Sequence, residues 1–209
     1  MKLYLSSYHL GNNPQTLADL MEKNKKIAII PNALDGYTDT PRRLVGIQQE
    51  KDDLMKIGLH PEELDLRQYF GDPNRLATKL SEYGALWVLG GNTFVLRRVY
   101  KESGLDTWLR NNKGNKKFVY AGYSAGICIL SPELKSIEMI DEPYVVPNGY
   151  KPEVIWEGIG FLDFVFAPHY QSDHPESEVV GRQVEYLKKN NIKFKALHDG
   201  EVFIKEIDN

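Results

Sequence analysis

Two glycines, a serine and the apolar runs on either side form the stretch of this chain best suited to covalent chemistry. Phe118-Val119-Tyr120-Ala121 leads into Gly122-Tyr123-Ser124-Ala125-Gly126, and Ile127-Cys128-Ile129-Leu130 follows. A β-rich run, a Gly-x-Ser-x-Gly turn and a second apolar run of helical character are the layout of a nucleophile elbow. Glycines at 122 and 126 remove Cβ atoms that would clash where the chain doubles back, so Ser124 is thrust forward with its hydroxyl exposed. The amide of Ala125, at the start of the following helix, points where an oxyanion would form. Gly-x-Ser-x-Gly also arises by chance in tight turns; the strand before it and the helix after it are what favour catalysis.

A serine hydroxyl needs a base to attack at neutral pH, and histidine is the usual one. Of the five histidines, His9 falls in a polar loop and His60 precedes a proline at a helix end, a surface position. His174 lies in Ser172-Asp173-His174-Pro175 ahead of a helix, as a rim or capping residue. His198 adjoins Asp199 in a turn. His169 alone directly follows a buried strand, Phe164-Val165-Phe166-Ala167, and is the candidate base. A base in turn needs an acid to hold its tautomer. Asp199 follows the strand that ends at Leu197, although Asp199-Gly200 is equally a hairpin signal. Glu138, Asp141 and Glu142, beyond the elbow helix, compete for that role. Gly90-Gly91-Asn92-Thr93 is the other informative loop. A glycine pair between a buried strand and a helix permits close backbone approach and offers an amide to an oxyanion, while Asn92 or Thr93 caps the helix.

These residues need a scaffold, and the chain supplies one by alternation. Strands are expected at Lys2–Ser6, Lys26–Ile30, Glu63–Arg67, Ala85–Leu89, from Lys117, at Phe164–Ala167, Lys193–Leu197 and Glu201–Lys205. Helices are expected at Pro14–Met21, Pro41–Ile57, Asn74–Tyr83, from Phe94, at Leu105–Asn111 and Glu176–Lys189. Leu34–Thr40 reads as loop, Lys135–Val146 as a hairpin or extended excursion, and Pro147–Gly160 as loop. This order predicts an α/β fold, a mostly parallel sheet with helices on both faces. Ligands in such folds bind beyond the carboxyl ends of the strands. Residues just after Ile30, Leu89, Tyr123, Ala167 and Leu197 should therefore converge.

The totals exclude several classes. A chain of 209 residues with 42% hydrophobic and 26% charged residues reads as one globular domain spanning 1–209. A net charge of −3 without long runs predicts no nucleic-acid or membrane-surface partner. No signal peptide and no run of the ~20 apolar residues needed to span a membrane is visible. Cys128 is the only cysteine, so no internal disulfide forms and a cytoplasmic location is expected; one turn after Ser124, it reads as core rather than nucleophile. There is no P-loop and no Gly-x-Gly-x-x-Gly fingerprint, and no His/Cys/Asp cluster with metal-ligand spacing, so neither cofactor nor metal is expected.

Ala85-Leu86-Trp87-Val88-Leu89-Gly90-Gly91-Asn92-Thr93-Phe94, then Gly122-Tyr123-Ser124-Ala125-Gly126, then Ala167-Pro168-His169-Tyr170 resemble the peptidase E family of serine peptidases, whose relatives include aspartyl dipeptidases and cyanophycinases. The resemblance runs from the first strand to Gly200. It implies a flavodoxin-like sheet related to class I glutamine amidotransferases, with serine in place of their cysteine. It further implies Ser124 as nucleophile, His169 as base and oxyanion donors from Gly91 and Ala125, with Gly90 and Asn92 in the same binding loop. His198-Asp199-Gly200 matches the family's Pro-Glu-Gly turn with Asp for Glu; Asp141 or Glu138 would match an alternative acid after the serine. Two departures bear on the substrate. The family's substrate-reading arginine has no clear match, because Arg182, the nearest, aligns better with a helix position. The chain also stops soon after Lys205, which implies a pocket more open on one side.

The reading is a cytoplasmic, metal-independent serine hydrolase cleaving a small peptide or related amide, a monomer or homodimer, with Ser124, His169 and Asp199 as its triad. An α/β-hydrolase esterase would place the acid before the histidine, opposite to the order here. A non-catalytic binding protein on the same fold would not label with a fluorophosphonate.

Overall fold

The computed structural model describes residues 1–37 and 40–208. Its strands are β1 (Lys2–Ser6), β2 (Lys26–Ile30), β3 (His60–Glu63), β4 (Ala85–Val88), β5 (Val119–Tyr123), β6 (Val165–Ala167), β7 (Phe194–Ala196) and β8 (Val202–Glu206). Its helices are α1 (Gln15–Leu20), α2 (Thr40–Lys56), α3 (Pro73–Leu80), α4 (Thr93–Ser103), α5 (Leu105–Asn111), α6 (Ala125–Cys128) and α7 (Ser177–Lys189). Six strands form the main sheet in the order β3-β2-β4-β5-β1-β8, parallel except for the antiparallel edge strand β8. The order β3-β2-β4-β5 repeats the first four positions of the flavodoxin arrangement, and β1 takes the fifth. Of the loop read at Leu34–Thr40, Asn32–Gly36 forms a 3-10 turn, and positions 38 and 39 lie outside the described residues.

Alternation along each strand sends side chains to opposite faces, and both faces are covered. Ile27, Ile29, Trp87 and Ala121 pack with Leu17 and Ala18 of α1 and with Ile47 and Leu54 of α2. Ala28, Ile30, Val88 and Tyr120 pack instead with Leu76 and Leu80 of α3, Phe94 and Val99 of α4, and Leu105 of α5. That two-sided burial is why these strands read as unbroken apolar runs. Among the described residues, no helix is long and apolar enough to cross a membrane.

Four expectations need correction. The third strand lies at His60–Glu63, not at 63–67, and Leu66–Tyr69 is a 3-10 turn whose cap, Asp65, accepts from the Arg67 amide. As an edge strand, β3 tolerates Pro61 and needs no continuous apolar run, so His60-Pro61 opens a strand instead of only ending a helix. Second, β6 and β7 do not join the main sheet but form a parallel pair of their own. Both edges of β1 are already taken, by β5 and β8, which leaves them no place there. Third, the helix expected after the elbow is present at Ala125–Cys128, but Ile129 and Leu130 of the apolar run read as helical lie past its end. Fourth, the segment Lys135–Val146, read as a hairpin or an extended excursion, opens with a 3-10 turn at Lys135–Met139 and carries no strand, so the hairpin is excluded.

The small sheet is held by α7, whose Val180 and Val184 pack on Ala167. Phe164 and Phe166 meet Phe203 of β8 ring against ring, both at 5.8 Å, joining it to the main body. Its ladder continues past the strands: the Leu197 amide donates to the Ala167 carbonyl and the Tyr170 amide to the Leu197 carbonyl, each at 3.0 Å. This register brings the residues after β6 and β7 side by side.

Candidate active site

Ser124 stands between β5 and α6 with φ 50° and ψ −117°, a conformation that non-glycine residues rarely adopt and that surrounding structure must enforce. The enforcing contacts come from β4. A Cβ on Gly122 would lie 2.6 Å from the Val88 carbonyl oxygen, and one on Gly126 only 2.4 Å from it. The glycines therefore serve the close approach of the elbow to the neighbouring strand more than the doubling back of the turn itself. Amides of Ile127 and Cys128 bond the Ser124 carbonyl at 2.9 and 3.0 Å, which fixes the turn from its far side. The Ser124 side chain makes no capping bond and is partly exposed.

The loop after β4 packs directly on this turn. A Cβ on Gly90 would sit 2.9 Å from the Tyr123 ring and 3.0 Å from the Ser124 Cβ. Gly91 has φ +139° and its backbone lies against Ala33, whose carbonyl accepts the Asn92 amide at 2.9 Å. Ala33 follows β2, so the loop spans the point where strand order reverses between β2 and β4, the crevice this class of fold uses for ligands. Asn92 caps α4 by accepting from the Phe94 and Val95 amides at 2.9 and 3.0 Å, and donates to the Glu142 carbonyl at 2.9 Å. Asp141 reaches the same loop: its Oδ2 accepts the Thr93 amide at 2.8 Å. Burial pushes the Asp141 carboxyl up to about 7.

His169 is 1% exposed, and its Nδ1 lies 2.7 Å from Asp199 Oδ1. A carboxylate on Nδ1 makes that nitrogen the donor and leaves Nε2 as the acceptor, the state a general base needs. Burial, and then the neighbouring His174, hold the His169 pKa below its ordinary 6.5, with Asp199 opposing them. Ser7 ties the arrangement together. Its Oγ accepts the His169 amide at 2.8 Å and lies 2.8 Å from Asp199 Oδ1 as donor, while the Asp199 amide is held by Ser172 Oγ at 2.8 Å. Sequence reasoning missed Ser7. Its signal was there, because Ser7 follows β1 and the strand-end rule applies to that strand as well.

The other candidates are placed elsewhere. Glu138 pairs with Lys135 at 2.7 Å, and Glu142 Oε1 accepts the Tyr144 amide at 3.1 Å. Cys128 is buried, which raises its thiol well above the usual range. Arg182 is an exposed helix residue paired with Glu178 at 2.5 Å. His60 is exposed at the start of β3, and the His198 amide donates to Glu201 in its turn. His9 is less peripheral than a polar loop implies: its ring lies 5.2 Å from that of Tyr123, and Glu50, buried at 1% exposure, holds Nδ1 at 2.5 Å and raises its pKa. His174 accepts the Glu176 amide on Nδ1 at 3.2 Å, a capping role at the start of α7, and its ring stacks on His169 at 3.7 Å. Spacing suggested no metal-ligand cluster, yet the fold brings one ligand atom each of His169, His174 and Glu176 within 4.8 Å of one another.

Known proteins resemble this chain in sequence and in fold. The model of peptidase family S51 matches residues 5–206. An uncharacterized peptidase of Listeria monocytogenes is 30% identical over 161 residues, covering 76% of this chain and 74% of that protein. One from Listeria innocua is 29% identical over 152 residues, covering 72% and 66%. In fold, the chain is similar to a 1.5 Å crystal structure of a candidate peptidase E from Listeria monocytogenes, with TM-score 0.71, 24% identity and coverage of 99% and 98%. It is also similar to a peptidase from an acI-B1 Actinobacterium, with TM-score 0.61, 16% identity and coverage of 98% and 83%. Matched along nearly its whole length and carrying the serine elbow, the chain belongs to peptidase family S51 and is a serine-type peptidase.

Proposed function

We propose that the protein cleaves a dipeptide or similarly small amide through an acyl-enzyme formed on Ser124. The observation that carries this reading is the 2.7 Å contact between His169 and Asp199, delivered by the β6–β7 ladder to the sheet edge where the elbow stands. Ser124 Oγ attacks the substrate carbonyl while His169 Nε2 takes its proton. The oxyanion is held by the amides of Gly91 and Ala125, on the two loops that pack together around Ser124. His169 then protonates the leaving amine as the C–N bond breaks, and a water activated by the same nitrogen releases the acid. Asp199 orients His169 and stabilises its imidazolium, and Ser7 positions both. Asn92 and Asp141 act on the oxyanion loop through the cap of α4. Arg182, exposed and already paired, gives no basis for preferring an N-terminal aspartate.

A dipeptide library tests this with wild type and Ser124→Ala side by side. Wild type should release free amino acids from a subset of dipeptides and Ser124→Ala from none. Retention of more than about a hundredth of wild-type turnover by the variant would remove Ser124 from the mechanism, because loss of a triad nucleophile costs many powers of ten.

A further inference from the structure

His169, His174 and Glu176 come from the segment between β6 and α7, with Glu176 as the N-cap residue of α7, and the catalytic reading above uses only the first of them. We propose that these three side chains bind a divalent cation of the zinc class, and that its binding reversibly stops hydrolysis by occupying the ring nitrogen that must accept the Ser124 proton. The inhibitory half of this rests on the serine mechanism; the site itself does not.

The donor set is the first argument. Two imidazoles and a carboxylate are ligands that zinc takes together, with the fourth position left to water. The free atoms are the second. Asp199 engages Nδ1 of His169, and the Glu176 amide engages Nδ1 of His174, so Nε2 is the uncommitted nitrogen on each ring. A carboxylate behind a histidine is also the arrangement that orients and strengthens a metal-ligating imidazole, so Asp199 serves a bound ion as well as a base. Proximity is the third: the rings stack at 3.7 Å with 10° between their planes, and one ligand atom from each of the three residues lies within 4.8 Å of the others.

The geometry also limits the site. Ligand atoms about 2.1 Å from a tetrahedral ion lie about 3.4 Å apart, so the group must contract. Parallel stacked rings must also splay before their lone pairs converge. His169 is buried and held at Nδ1 and at its amide, so the adjustment falls on His174 and Glu176, which are only partly buried. A site that closes around its ion binds more weakly than a preformed structural zinc site. That suits reversible inhibition, and it leaves the metal-free protein as the active form.

The test uses the full chain stripped of metal and titrated with zinc chloride, read in two ways. Calorimetry on Ser124→Ala measures binding without turnover, and hydrolysis by wild type measures inhibition. The expected results are one ion per Ser124→Ala chain, inhibition of wild type over the same concentration range, and full recovery with EDTA. Glu176→Gln should lose at least about tenfold in zinc affinity, as should His174→Ala. Metal-free Glu176→Gln should keep wild-type turnover, and magnesium, which prefers oxygen ligands, should not compete. Zinc affinity equal in wild type and both variants, or no binding to Ser124→Ala, would overturn the site. Binding that leaves hydrolysis unaffected would overturn the inhibition. If Ser124→Ala itself turned over, the serine mechanism would fail while the calorimetry still decided the site.

Discussion

Asp199→Asn removes one negative charge and almost no volume, which makes it the sharpest probe of the proposed triad. In wild type, the carboxylate lies 2.7 Å from His169 Nδ1. When His169 takes the Ser124 proton, the two groups become an ion pair with charge centres about 4 Å apart. For a carboxylate that is 22% exposed, an effective dielectric near 20 is appropriate, and the attraction is about 4 kcal/mol. At about 1.4 kcal/mol for each tenfold, its loss costs roughly a thousandfold in turnover. The same Oδ1 faces both His169 and the Ser7 hydroxyl. If the amide oxygen keeps that position, the tautomer survives and the thousandfold stands. If the amide nitrogen turns towards His169, the wrong tautomer is favoured and the loss approaches about ten-thousandfold, as when a Ser-His-Asp triad loses its acid. Asp141→Asn and Glu138→Gln, which carry a helix cap and a surface pair, should cost far less. All three variants are to be assayed on one dipeptide after their melting temperatures confirm folding. The reasoning is refuted if Asp199→Asn stays near wild type while either of the others collapses.

Three further outcomes follow from the same geometry. A base must be neutral to act, and His169 is held below 6.5, so the acid limb of kcat/KM should have its midpoint under that value and move lower still in Asp199→Asn; a midpoint above about 7 contradicts the assignment. EDTA should not reduce the activity of the enzyme as purified; loss on chelation, restored by zinc or manganese, would require a metal in the reaction. Asp141, raised to about 7 from 3.8, binds its proton more tightly when folded, so its contribution to stability falls as pH rises between those values. Asp141→Asn should therefore gain melting temperature relative to wild type between pH 5 and pH 8; the opposite trend would refute the burial argument.

The succession of strands and helices, the turn at Ser124 and the glycine loop after β4 were legible because each rests on local pattern. Ala85–Val88 and Val119–Tyr123 are buried on both faces and so announce themselves as apolar runs, and Gly122 and Gly126 mark the turn between strand and helix. Edges were harder. β3 is polar along its length because only one side pairs, and its signal is displaced towards the buried Leu64 and Leu66 beyond it. No sequence pattern tells whether β6 joins the main sheet, since that depends on β8 having already closed the far edge of β1. At the site, His169 and Asp199 were reachable through the strand-end rule, but their contact depends on the β6–β7 register, which spans about thirty residues. The His174–Glu176 group stayed hidden although its residues lie within positions 169–176, because the path of the chain between β6 and α7, not a fixed spacing, brings the ligand atoms together.

The central claim is that Ser124 is an activated nucleophile, and covalent labelling tests it most directly. Wild-type protein treated with a fluorophosphonate should gain the mass of one adduct, and peptide mapping should place it on Ser124. Ser124→Ala should gain none, and Asp199→Asn should label far more slowly. Hydrolysis of dipeptides by a protein whose Ser124 remains unlabelled, or an adduct on a different residue that abolishes activity, would contradict the account.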